Sequence, residues 1–84
     1  MSKKVVMYST KVCPYCIAAE KLLNQLGHPI DEKILIDVDP QKKIEMTSKT
    51  NRNTVPQIFI GETHVGGFDD LSNLVKNNKL NELF

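Results

Sequence analysis

The stretch T-K-V-C-P-Y-C-I-A-A at residues 10–19 contains both cysteines of the chain, Cys13 and Cys16, with only Pro14 and Tyr15 between them. Two thiols at this spacing can close a disulfide, hold a metal or exchange electrons with another disulfide. A zinc site needs about four ligands at recurring short spacings. Only His28 and His64 could join the cysteines, and they lie far apart in the chain. Two cysteines are also too few for the framework that braces small secreted domains, and a reducing cytosol does not keep a purely structural bond oxidised. A redox dithiol is the remaining chemistry, and C-x-x-C within a β-α-β pattern is a rather specific sign of it.

The elements around the pair set its reactivity. Val5-Val6-Met7-Tyr8 is a continuous apolar run that suits a short buried strand. Beyond the cysteines, Ala18, Ala19, Leu22, Leu23 and Leu26 recur at helical spacing, and Gly27 with Pro29 closes the segment. Pro14 falls at the first helical position, where its missing N–H costs nothing, so Cys13 sits at the N-cap. Unpaired N–H groups and the positive end of the helix dipole stabilise a thiolate there, and Lys11 adds a nearby cation. Thiolate is the nucleophilic form, which makes Cys13 the attacking group. Cys16, one turn inside the helix, stays a neutral thiol until a mixed disulfide forms beside it.

The remaining chain reads in the same way. Ile34-Leu35-Ile36 with Val38 predicts a second strand buried on both faces and parallel to the first. Asp39-Pro40 starts a helix through about residue 49. Gln57–Ile60 and Thr63–Val65 are strands joined at Gly61-Glu62, a pair suited to a tight antiparallel hairpin. Gly66-Gly67 breaks the second of these, Asp69 or Asp70 caps a helix carrying Leu71, Leu74 and Val75, and a last turn runs through Leu80 and Leu83. The order β-α-β-α-β-β-α predicts an α/β domain with a mixed four-stranded sheet. The predicted core is Leu22, Leu26, Ile34, Ile36, Ile58, Ile60, Leu71 and Leu74.

Eighty-four residues support one domain, 1–84, because so short a chain has no material for a second core. Hydrophobic residues at 40% and charged residues at 25% are values of a folding chain. A net charge of +1, with both signs spread along the sequence, gives no electrostatic footprint for nucleic acid or an anionic membrane. The first nine residues are too little apolar for a signal peptide, and no apolar run approaches the roughly 20 residues that span a bilayer. These features predict a cytoplasmic monomer that needs no nucleic acid and no membrane.

C-P-Y-C after a strand, T-V-P-Q-I-F-I at 54–60 and V-G-G-F-D-D-L at 65–71 together resemble the dithiol glutaredoxins of the short bacterial kind. The resemblance covers nearly the whole chain. It implies a thioredoxin fold, no tightly bound cofactor, glutathione as reducing co-substrate, and disulfide-containing or glutathionylated proteins as partners. It also makes Cys13 the nucleophile and Cys16 the resolving thiol, with Tyr15 lining a glutathione groove. Thr54, Val55 and Pro56 match the segment with the family's cis-proline; a cis bond there would leave the Val55 backbone free to pair with an extended peptide such as glutathione. Gly67, Phe68 and Asp69 match the segment that holds the γ-glutamyl end, where N–H groups at a helix start suit a carboxylate and Asp69 suits an ammonium. Lys43 falls where relatives have a basic or amide residue near the glycyl carboxylate, and Arg52 is a further candidate. The chain departs from the pattern at Thr10, where relatives carry lysine, with Lys11 one position later, and at Phe68, where many have cysteine.

Two rival functions fit parts of the same pattern. One is a thioredoxin-like donor fed by a flavoprotein reductase, against which the Asp69-Asp70 pair after Gly66-Gly67 argues. The other is a module holding an iron-sulfur cluster between protomers through Cys13 and glutathione thiols. Plain structural roles compete for single residues: Pro56 and Gly66-Gly67 as turn formers, Lys11, Lys43 and Arg52 as solvated charges, His28 and His64 as ordinary loop and strand positions.

Overall fold

The computed structural model describes residues 3–84, which form four strands and three helices. The apolar run Val5–Ser9 is β1, the central strand that lies between β2 (Glu32–Leu35) and β3 (Gln57–Ile60), with β4 (Thr63–Gly66) outside β3. β1 and β2 run parallel, with Tyr8 opposite Ile34, while β3 is antiparallel to both β1 and β4. Alternation along β1 sends Val5 and Met7 to one face and Val6 and Tyr8 to the other. The first face packs Val5, Met7, Ile58 and Ile60 against Cys16, Ala19 and Leu23 of α1 (Pro14–Gln25) and Leu71 of α3 (Phe68–Lys76). The second packs Tyr8, Val6 and Phe59 against Ile36 and against Met46 of α2 (Pro40–Thr50).

The helix ends follow their local chemistry. Asp39 accepts the Gln41 N–H at 3.0 Å and Pro40 takes the first position of α2. α1 ends with Gly27 at φ +80°, its N–H on the Asn24 carbonyl and the His28 N–H on the Leu23 carbonyl, the paired bonds that let a left-handed residue close a helix. A 3-10 turn at Leu80–Leu83 completes the regular structure of the described residues. No helix of the described residues is long and apolar enough to cross a membrane.

Three expectations need correction. The second strand begins two residues before its apolar run and is an edge strand, exposed at its start, where Glu32 pairs with Lys4 at 2.9 Å and Lys33 with Glu20 at 2.7 Å. Residues 36–38 form a turn after it, so Ile36 is buried outside the ladder and Val38 is 58% exposed. Leu26 is the residue that caps α1 and is 39% exposed, outside the buried core. Neither Asp69 nor Asp70 is the N-cap of α3; Gly67 holds that position, and Asp70 reaches back to accept its N–H at 2.9 Å.

Candidate active site

The loop after β1 delivers Cys13 to the N-cap of α1, and Pro14 opens the helix. The Cys16 N–H donates to the Cys13 sulfur at 3.1 Å, the place that an oxygen takes in an ordinary N-cap. The two Cα atoms are 5.2 Å apart and the sulfurs are joined in a disulfide. Cys13 is the more accessible partner, 8% exposed against 3% for Cys16. Sulfur at an N-cap gains from the free N–H groups and from the dipole, an advantage that grows when the bond opens and one sulfur carries charge.

The Val55-Pro56 peptide bond is cis, and the Cys13 sulfur lies 4.0 Å from the Val55 carbonyl oxygen. Val55 precedes β3, and among the described residues no backbone carbonyl receives its N–H. Beside the sulfurs, Tyr15, Thr54, Val55, Pro56, Phe68 and Asp69 line a hollow of about 160 Å³. Tyr15 is 65% exposed, and its ring tilts against Phe68, with centroids 6.2 Å apart. A Cβ at Gly67 would lie 3.4 Å from the Pro56 carbonyl oxygen, an ordinary contact distance that sets the start of α3 against the proline loop. Asp69, in the first turn of α3, is exposed, and among the described residues its carboxylate takes no hydrogen bond.

The three predicted cations lie outside this lining. The Lys11 backbone N–H donates to Asp37 at 3.1 Å, and among the described residues its ammonium forms no ion pair. Lys43 borders a separate open depression on α2 with Ile44, Thr47, Ser48 and Asn51. Arg52 donates from Nη1 to Asp70 Oδ2 at 2.9 Å, its backbone N–H pinned by Thr50 Oγ1 at 3.0 Å. That guanidinium, with the Gly67 N–H, holds the Asp70 carboxyl below its ordinary range. The pair ties the approach to the proline loop to the start of α3. At Gly66, φ is +114° and a Cβ would overlap the Asp70 carboxylate, so the position needs glycine on both counts.

Two residues that the sequence marks only as plain strand positions, Gln57 and His64, are tied to Thr54 of the lining. Gln57 is fully buried, donating from Nε2 to the Thr54 carbonyl at 3.1 Å and to Thr54 Oγ1 at 3.3 Å, while its Oε1 is 2.8 Å from His64 Nε2. The one available signal was a glutamine opening an otherwise apolar strand. His28 instead stacks on Phe84, and among the described residues no three His, Cys, Asp or Glu side chains cluster as a metal site would require.

A strand, a dithiol at the start of the following helix and a cis-proline loop across from it, on a mixed sheet ordered β2-β1-β3-β4, define a thiol-disulfide oxidoreductase of the thioredoxin fold. Within that class the chain belongs to the glutaredoxin family, whose family model, Glutaredoxin, matches residues 5–65. It is 49% identical over 79 residues to the glutaredoxin of Pseudomonas aeruginosa, covering 94% of this chain and 93% of that one. The solution structure of glutaredoxin from Brucella melitensis superposes with a TM-score of 0.85 at 41% identity, covering 98% of this chain and 88% of that one. The crystal structure of a buckwheat glutaredoxin-glutathione complex superposes with a TM-score of 0.86 at 30% identity, covering 96% and 76% of the two chains. Members of this family are glutathione-dependent oxidoreductases, and the chain is one of them.

Proposed function

We propose that the protein reduces protein disulfides and protein-glutathione mixed disulfides with glutathione as electron donor, Cys13 attacking and Cys16 resolving. The observation that carries this reading is the Cys13–Cys16 disulfide at the start of α1, opening beside the hollow lined by Tyr15, Thr54, Val55, Pro56, Phe68 and Asp69. In the reduced protein the Cys13 thiolate attacks one sulfur of the substrate disulfide; the substrate S–S bond breaks, and the departing thiolate takes up a proton. With a glutathionylated protein, Cys13 takes the glutathione sulfur and the protein thiol leaves. A second glutathione thiolate then attacks that sulfur, Cys13 leaves as thiolate, and glutathione disulfide is the oxidised product. With a protein disulfide, Cys16 attacks the Cys13 mixed disulfide, the second substrate thiol leaves, and two glutathione thiols later reopen the Cys13–Cys16 bond.

The hollow suits a short extended peptide bearing charges. The Val55 backbone N–H is available to a cysteinyl carbonyl, the N–H groups at the start of α3 suit the γ-glutamyl carboxylate, and the exposed Asp69 carboxylate suits its ammonium. Tyr15 and Phe68 supply apolar walls. Lys11 and Lys43, which lie outside the lining, are left to reach toward the glycyl carboxylate, while Arg52 is already engaged by Asp70. Dithiol and hollow come from one chain, so the reading is of a monomer, working in the cytosol where glutathione is kept reduced.

The test mixes the oxidised protein and a glutathionylated peptide with glutathione, glutathione reductase and NADPH, and separately with thioredoxin reductase and NADPH. Turnover in the first mixture alone is expected. Turnover in the second alone would replace the reading with a thioredoxin-like donor.

A further inference from the structure

The buried Gln57 amide is better used than a core position at the start of β3 requires. A buried amide costs free energy unless its groups are paired. Here both ends are paired: Nε2 donates to the Thr54 carbonyl and hydroxyl, and Oε1 accepts from the His64 ring. Among the described residues only Val55-Pro56 is cis, so the Thr54-Val55 peptide is trans, and in a trans peptide the C=O and the following N–H point in opposite directions within one rigid plane. Drawing the Thr54 carbonyl inward onto Gln57 therefore turns the Val55 N–H outward, away from the sheet. Val55 itself borders the hollow beside Cys13. We infer that Gln57, seated by His64, is a positioning residue that aims the Val55 N–H at the peptide backbone of the glutathionyl ligand. The inference rests on the reading that the hollow holds glutathione.

His64 matters because an amide has two orientations. A ring N–H from His64 onto Oε1 leaves the NH₂ facing Thr54, whereas the flipped amide would set oxygen against the Thr54 carbonyl oxygen. With Gln57→Met the volume is kept and both tethers are lost; with His64→Phe only the seat is lost; His64→Gln restores a donor on a side chain of comparable reach.

The experiment titrates reduced protein with S-methylglutathione, which cannot react, following the Val55 amide by NMR, and measures steady-state reduction of a glutathionylated peptide. Wild type should show a Val55 amide shift on binding. Gln57→Met should shrink that shift and raise KM about three- to tenfold, the size of one ordinary hydrogen bond, with kcat held within about twofold. His64→Phe should move KM the same way by less, and His64→Gln should restore it. The rate at which iodoacetamide alkylates Cys13 should be the same in all four proteins. No Val55 shift in wild type would sink the reading of the hollow itself. A normal wild-type shift with unchanged KM in the Gln57 variant would overturn this inference alone, as would equal losses of KM, kcat and alkylation rate. Should Gln57→Met fail to fold, the His64 pair decides: equal KM for phenylalanine and glutamine at 64 refutes the role.

Discussion

Replacing Asp70 by alanine removes two bonds that differ in worth. The ion pair to Arg52 spans 2.9 Å, but the side chains are 47% and 43% exposed, so screening by solvent leaves it about 0.5 kcal/mol. The bond from the Gly67 N–H, also 2.9 Å, satisfies a donor at the first turn of α3 that otherwise has no side-chain acceptor, a cap contribution of about 1 kcal/mol. Arg52→Ala should therefore cost about 0.5 kcal/mol and Asp70→Ala about 1.5, in urea unfolding at neutral pH with unchanged slopes. For a domain of this size the second corresponds to a fall in Tm of about 6–12 °C. Acid supplies a second check. The Asp70 carboxyl titrates below its ordinary 3.8, held down by Arg52 first and the Gly67 N–H second. Its stabilisation is thus complete above 3.8 and is lost as pH falls through the lower folded value. The deficit of Asp70→Asn relative to wild type should shrink in step. Equal losses for Arg52→Ala and Asp70→Ala, or a deficit indifferent to acid, would refute the assignment of most of the effect to the cap.

Further outcomes follow from the site. In the reduced protein Cys13 should be alkylated with a pH midpoint below the roughly 8.5 of free cysteine; Cys13→Ser should abolish all activity, while Cys16→Ser should keep deglutathionylation, lose most reduction of intramolecular protein disulfides and trap a covalent complex on a non-reducing gel. Equal loss of both activities in Cys16→Ser would end the proposed division of labour. Asp69→Ala should raise KM for glutathionyl disulfides several-fold with the Cys13 alkylation rate unchanged, and a matching fall in alkylation would make Asp69 structural. Burial, then the Arg52 charge, push the His64 ring below its ordinary 6.5, against a smaller opposing pull from Asp70. A ring that protonates more readily in the unfolded chain stabilises fully above 6.5 and loses that contribution as pH falls toward the folded value. His64→Gln should flatten this part of the stability-pH profile, and coincident profiles would refute it.

Local chemistry and periodicity are written in neighbouring residues, and what depends on them was legible in the chain. Cys13 at a helix start is stated by Pro14, α2 by Asp39-Pro40, and the β3–β4 hairpin by Gly61-Glu62 between two short strand segments. The strand before the cysteines and the two faces it serves follow from one apolar run and a period of two. Pairing between distant segments is decided by packing, because the same side chain is a free charge or a spent one according to what the fold brings within 3 Å of it. Arg52 is indistinguishable from a ligand-seeking cation until α3 sets Asp70 beside it, 18 residues on. Glu32 and Lys33 carry no strand signal of their own, yet the parallel ladder with β1 makes a strand of them at the sheet edge. Gln57 and His64 look like a polar interruption and a surface histidine in the one-dimensional pattern. Only the register of β3 and β4, which faces both to the same side of the sheet, turns them into a tether behind the Thr54-Val55 peptide.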